Sequence, residues 1–236
     1  MPVTWKEVWE ARRMDGAGGS LLARLMAADG MDTGFGSLGE EAWRRFVRGT
    51  AGAIGIEAGS SVFEVGCGAG AYLYDLYRQG CEVGGLDASS ALIGYARQAM
   101  PEGEWQIAEA SRLDTSTKYD FVVSMGVFLY FPSLDYAQGV LERMVRKARR
   151  GVMILDVADL AKRDEALEMR RRMAGEEAYA RKYEGLDHLA IARSWFESTL
   201  ADLNVAGVRI EDQRIEGYAN AAYRYNVFAG IGERLA

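Results

Sequence analysis

The 236 residues carry 28 Lys+Arg against 34 Asp+Glu, a formal net charge of -6, and 49% are hydrophobic; one large core is within reach of that length, and no positive field is left to draw a nucleic-acid backbone, so no nucleic-acid partner is expected. Two cysteines and one histidine supply neither a disulfide framework nor a protein-built transition-metal centre, and no metal is expected. No apolar run is long enough for a membrane span and residues 1–13 lack the apolar stretch of a signal peptide, so the expectation is a cytoplasmic protein, monomer or homodimer, with no membrane partner.

Through the first 55 residues apolar side chains recur at helical spacing: Trp5, Val8 and Trp9, then Leu21, Leu22 and Leu25, then Ala42, Trp43, Phe46 and Val47. Glycine-rich breaks at 16–19 and 30–39 separate them, so residues 1–50 read as a helical cap or lid on a body formed by 51–236. From Ser60 the pattern changes to short apolar runs alternating with helical segments, the mark of a doubly wound α/β fold whose strands are buried on both faces. Strands are predicted at 61–65, 82–86, 105–108, 121–124 and 152–157, and helices at 71–79, 89–99 and 134–149. Arg146, Lys147, Arg149 and Arg150 then fall in the last turn of the third helix, which Gly151 would end. Residues 159–190 read as a densely charged, solvated helical insertion, and 194–203 as an amphipathic helix. Runs at 208–215 and 223–229 alternate as strands, joined by a short link into a C-terminal antiparallel hairpin that completes a mainly parallel, seven-stranded sheet.

The stretch Val62-Phe63-Glu64-Val65-Gly66-Cys67-Gly68-Ala69-Gly70-Ala71 drives an apolar strand into Gly-x-Gly-x-Gly and then a helix. Glycines at 66, 68 and 70 allow positive φ and close approach of backbone to a ligand at the C-terminal edge of the sheet. Seventeen residues after Gly70 a second apolar strand ends in Asp87, followed by Ala88, where a carboxylate can accept both hydroxyls of a ribose. The two features together point to an adenosine-containing cofactor. Gly66-x-Gly68-x-x-Ala71 also fits a dinucleotide fingerprint, but Glu64 in the strand repels phosphate and suits a cation.

These residues resemble the class I S-adenosylmethionine-dependent methyltransferases, whose Glu/Asp-x-Gly-x-Gly-x-Gly motif is met by Glu64, Gly66, Gly68 and Gly70. The resemblance runs from about Ala51 to Ala229 and implies a Rossmann-like fold with S-adenosyl-L-methionine as cofactor. It places Asp87 and Ala88 at the ribose. Glu109 and Ala110, in an Ala-Glu-Ala that replaces the family's Gly-Asp-Ala, fall at the adenine, and Ser124, Met125 and Gly126 beside the methionine moiety. Glu64 would anchor the amino group, directly or through water, and Cys67 would be an inert small side chain of the loop.

Methyl transfer is an in-line displacement that asks mainly for alignment. A hydroxyl acceptor also needs its proton removed, and His188 is the one side chain with an unperturbed pKa suited to a general base at neutral pH, with a rate rising through its titration. Tyr130 and Phe131, after the fourth strand, face the expected acceptor side. Trp5, Trp9, Phe35, Tyr218, Tyr223 and Tyr225 are candidates for an aromatic wall, and Arg193 for holding an acidic acceptor. The leading reading is methyl transfer to a small-molecule or carrier-bound acceptor, on a hydroxyl oxygen, as in natural-product pathways. An NAD(P)-dependent oxidoreductase is the alternative, lacking any Tyr with Lys four residues on. A methyltransferase acting on a macromolecule is another, lacking an Asn/Asp-Pro-Pro-Tyr/Phe loop after the fourth strand.

Overall fold

The computed structural model describes residues 4–14, 19–31, 38–183 and 185–232. Three helices come first, α1 (Trp5–Glu10), α2 (Leu21–Ala28) and α3 (Glu40–Ile54). Strands and helices then alternate: β1 (Ser61–Val65), α4 (Ala71–Arg78), β2 (Glu82–Asp87), α5 (Ser90–Ala99), β3 (Glu104–Ile107), β4 (Tyr119–Met125), α6 (Leu134–Lys147) and β5 (Ala148–Ala158). The chain closes with α7 (Arg163–Ala174), α8 (Glu176–Tyr183), α9 (Arg193–Asp202), β6 (Ala206–Asp212) and β7 (Arg224–Gly230).

The seven strands lie in the order β3-β2-β1-β4-β5-β7-β6. Neighbours from β3 to β5 are parallel, and β7 runs antiparallel to both β5 and β6. Because side chains alternate along a strand, β1 feeds both layers of the core: Val62 packs among α2, α3, α4 and α5, and Phe63 and Val65 pack with α6 and α9 on the other face. The strand order reverses between β1 and β4, which opens a crevice at the carboxyl ends of the parallel strands. Among the described residues no helix is long and apolar enough to cross a membrane.

Four local expectations are corrected. Helix α6 stops at Lys147 rather than near Gly151, because Ala148 already has extended backbone and 148–158 continue as β5. The basic cluster therefore divides between helix end and strand, and Lys147 is buried, donating to the carbonyls of Asp114 and Thr117 at 2.9 Å each. The insertion is not solvated throughout, since Ala166, Met169 and Arg170 on α7 are buried. The link between β6 and β7 spans residues 213–223, and it buries Gln213, Ile215 and Asn220 against the body.

Candidate active site

The turn from β1 into α4 is held on β2: the N–H groups of Gly66 and Cys67 both donate to the Leu86 carbonyl, at 2.8 and 3.0 Å. Gly66 and Gly68 have φ of 74° and 53°, and a Cβ at Gly66 would run into the methyl groups of Val127. Gly70 takes φ 87° as the N-cap of α4, where a Cβ would strike Met100. Gly70 thus shapes the turn from outside the cavity. Cys67 is buried, and burial pushes its thiol well up, so it stays protonated.

Three carboxylates meet at this loop. Asp87 accepts the N–H of Gly68 at 2.9 Å and of Ser89 at 2.8 Å, and burial raises its pKa. Asp29, the residue that ends α2, accepts the N–H of Ala69 at 2.5 Å and of Ala71 at 2.9 Å. Burial lifts its carboxyl to about 7, against the pull of those two amides. Glu64 is 2% exposed and its Oε2 has no hydrogen-bond partner; burial first, then Asp29 and Asp87, push its pKa well up. A buried carboxylate oxygen without a donor is costly, and an ammonium or sulfonium ligand relieves that cost.

A cavity of about 1090 Å³ opens above these groups, at the carboxyl ends of the strands. Glu64, Gly66, Cys67 and Gly68 line it on β1 and its loop, as do Asp87 and Ala88 at the end of β2 and Glu109 and Ala110 after β3. Met125 and Gly126 line it at the end of β4, followed by Tyr130 and Phe131. Ser124 does not: its hydroxyl donates to the Val65 carbonyl at 2.9 Å and ties β4 to β1. Arg193 also lies outside the cavity. Its guanidinium binds Asp159 at 2.9 and 3.0 Å and Asp212 at 2.5 Å, and sits 5.0 Å over the Tyr225 ring, so it joins the ends of β5 and β6 instead of facing a ligand.

His188 lies in the cavity wall, stacked on Trp5 with ring centroids 4.7 Å apart and 5.5 Å from Tyr130. Its Nδ1 is 3.3 Å from Nη1 of Arg170. A guanidinium can only donate, so Nδ1 accepts and the ring proton sits on Nε2. Burial, then the charges of Arg170 and Arg224, lower its pKa to about 3. These features run against the base expected from the sequence: the lone pair is engaged, the other nitrogen carries hydrogen, and no titration of His188 falls near neutral pH.

Residues outside the glycine motif complete the far side. Asp156 sits where β5 bulges between Ile154 and Val157, with φ 60°. A non-glycine residue held there is backbone strain of the kind that gathers at functional sites. Its carboxylate accepts from Nε2 of Gln213 at 2.9 Å and from the Tyr218 hydroxyl at 3.2 Å, while burial raises its pKa despite nearby Arg224. Arg170, Arg224, Tyr218 and Asn220 line this end, together with Trp5 and Trp9 from α1. Tyr225 is core, donating to the Ile191 carbonyl at 3.0 Å, and Phe35 lies outside the described residues. Asp29 had no signal in the sequence. Asp156 and Arg224 did: each is a charged residue set in an apolar strand run, as Glu64 is.

Residues 62–151 match the family model for a methyltransferase domain. A curated relative, the nonribosomal peptide synthetase asqK of Emericella nidulans, is 27% identical over 128 residues, 50% of this chain and 5% of that protein, so the chain spans a small fraction of that relative's length. Among solved structures, magnesium protoporphyrin IX methyltransferase from Synechocystis PCC 6803 with bound S-adenosylhomocysteine aligns at TM-score 0.61 and 16% identity, covering 96% of this chain and 94% of that one. The N-methyltransferase NodS from Bradyrhizobium japonicum WM9, in complex with the same ligand, aligns at TM-score 0.52 and 18% identity, covering 81% and 87%. The family match from β1 to the start of β5, the sheet order and the acidic glycine loop together identify residues 62–151 as a methyltransferase domain, carried on the Rossmann-like fold of S-adenosylmethionine-dependent methyltransferases.

Proposed function

We propose that the enzyme methylates a compact small-molecule acceptor on a hydroxyl oxygen. The observation that carries this reading is the closure of the far side of the cavity. Trp5 and Trp9 of α1 stand over Tyr130, with centroids 4.7 and 5.3 Å apart, and Trp5 Nε1 donates to the Asp187 carbonyl at 2.9 Å. A volume of about 1090 Å³ lies just above the usual span of single small-molecule sites, roughly 300–1,000 Å³, which suits a cofactor and one further compact molecule. Among the fold relatives, one is named for a small molecule, magnesium protoporphyrin IX.

Bound in the acidic half, S-adenosylmethionine supplies a methyl group already activated on a sulfonium. The residues of the chain bind and align. Asp87 holds the ribose hydroxyls, Glu64 the ammonium group and Glu109 with Ala110 the adenine side, while Gly66 and Gly68 bring the backbone close. On the acceptor side, Asp156 takes the hydroxyl proton, since a buried carboxylate with a raised pKa is a stronger base than an ordinary one. His188 presents its Nε2 hydrogen to the acceptor and orients it, with Tyr130 and Phe131 as walls. Transfer of labelled methyl groups to a panel of hydroxylated aromatics, matching amines, transfer RNA and unfolded protein tests the reading. An ether product from a small molecule supports it. Transfer to amines alone moves the methylated atom to nitrogen, and transfer to a macromolecule alone overturns it.

A further inference from the structure

Charge is unevenly distributed along the cavity. The three carboxylates Asp29, Glu64 and Asp87 lie at the β2–β1 side, whereas Arg224 and Arg170 line the side beyond β4. Four strand spacings separate β2 from β7, roughly 19 Å at about 4.8 Å each. β7 runs antiparallel, so its first residue, Arg224, stands at the same edge of the sheet as the carboxyl ends of the parallel strands.

Arg224 is 4% exposed, and its guanidinium is a cation that can only donate hydrogen bonds. A buried charge of this kind requires a partner. The nearest carboxylate oxygen, Oδ1 of Asp156, is 3.7 Å from Nε, beyond hydrogen-bond reach, and both oxygens of Asp156 already accept from Gln213 and Tyr218. Nε and Nη1 of Arg224 have no hydrogen-bond partner, and neither does Oδ1 of Asn220, which lines the same cavity. Arg170, 9% exposed, adds a second cation beside His188.

We infer that the acceptor carries, apart from the atom that is methylated, a carboxylate held by Arg224 with Arg170 alongside. The inference rests on the reading that the acidic half of the cavity takes S-adenosylmethionine and leaves this half to the acceptor. A monoanion fits better than a dianion, because Asp156 stands close enough to repel a second negative charge. The acceptor class is therefore a hydroxylated carboxylic acid, its acid group at the β7 end and its hydroxyl toward the cofactor.

The test uses the full chain saturated with S-adenosylhomocysteine and three probes, 4-hydroxybenzoate, 4-hydroxybenzamide and phenyl phosphate, titrated by calorimetry. The benzoate is expected to bind about tenfold or more tighter than the amide, the scale of a charge-assisted contact. Arg224→Gln abolishes that preference and Arg224→Lys restores part of it, with S-adenosylhomocysteine affinity unchanged in both. Equal binding of benzoate and amide to the wild-type protein, including none of either, overturns the inference without needing a variant that folds. So does a preference that survives in Arg224→Gln, or tighter binding of the phosphate. Failure of the wild-type protein to bind S-adenosylhomocysteine is a separate result and sinks the underlying assignment of the acidic half.

Discussion

Asp29 ends α2, far in sequence from the glycine loop, yet its carboxyl sits on the loop amides of Ala69 and Ala71. Its folded-state pKa of about 7 lies above the ordinary carboxylate value of 3.8. Between those values the folded chain holds a proton that the unfolded chain has released, so the stability of the ligand-free protein rises as pH falls through that window. Binding of a cation runs the other way, because only ionised Asp29 attracts it. Affinity for S-adenosylmethionine should therefore fall as pH drops from about 8 to about 6, and Asp29→Asn should flatten the profile; calorimetry across that range checks it, and an unchanged slope in the variant would disconnect Asp29 from the ligand. A second prediction separates the two residues at the acceptor. Asp156→Asn should lower the chemical step by about 10² to 10⁴, the usual worth of a general base, whereas His188→Gln, which retains a donor, should act mainly on acceptor KM. Equal losses in both variants would return the proton to His188. The wild-type rate should show no His188 limb between pH 5 and 8, since that imidazole titrates at about 3.

Helix α1 stands beside the cavity on light anchors. None of its residues is buried, and it is held by aromatic contacts of Trp5 and Trp9, the Trp5 hydrogen bond to Asp187, the Lys6–Glu109 ion pair at 2.8 Å and a hydrogen bond from Ser90 to Glu10 at 2.9 Å. Exposed polar ties of this sort contribute little stability each. The helix should therefore open readily without ligand, and its amides should exchange more slowly once S-adenosylhomocysteine and an acceptor are bound. Identical exchange in both states would make α1 a fixed part of the wall. The same comparison of elements explains what could be read from the sequence. Strands β1, β2, β4 and β5 announce themselves because burial on both faces makes them mostly apolar, with Glu64 and Asp156 as buried charged exceptions, and the glycine loop because its φ values admit little else. The α7 helix hides its role: three arginines beside glutamates give the composition of a solvated face, while the fold turns Arg170, with Met169, inward. Arg193 misled for the converse reason, since a charged residue at a helix start gives no hint that Asp159 and Asp212 already flank it.

On the scale of the whole molecule, the direction of charge along the cavity decides between the two cofactors that a Gly-x-Gly loop can hold. A pyrophosphate needs the loop amides at the start of α4, but Asp29 occupies those of Ala69 and Ala71, and Glu64 and Asp87 stand beside it. NAD would bring negative charge to three carboxylates, whereas S-adenosylmethionine brings an ammonium and a sulfonium. Thermal unfolding reads this difference over the entire fold. A ligand present at about 100 times its Kd adds about 2.7 kcal/mol, which for a chain of this size raises Tm by roughly 5 to 11 °C. S-adenosylhomocysteine should give a rise of that order and NAD none. Asp87→Asn weakens the ribose contact by about 2 kcal/mol, a roughly thirtyfold rise in Kd, so the same ligand concentration should then add under about 1 kcal/mol and raise Tm by only a few degrees. An unaltered shift in that variant would remove Asp87 from the ribose, and a shift with NAD would mean that Asp29 gives up the loop amides, making the acidic cluster a gate over a phosphate site instead of a seat for a cation.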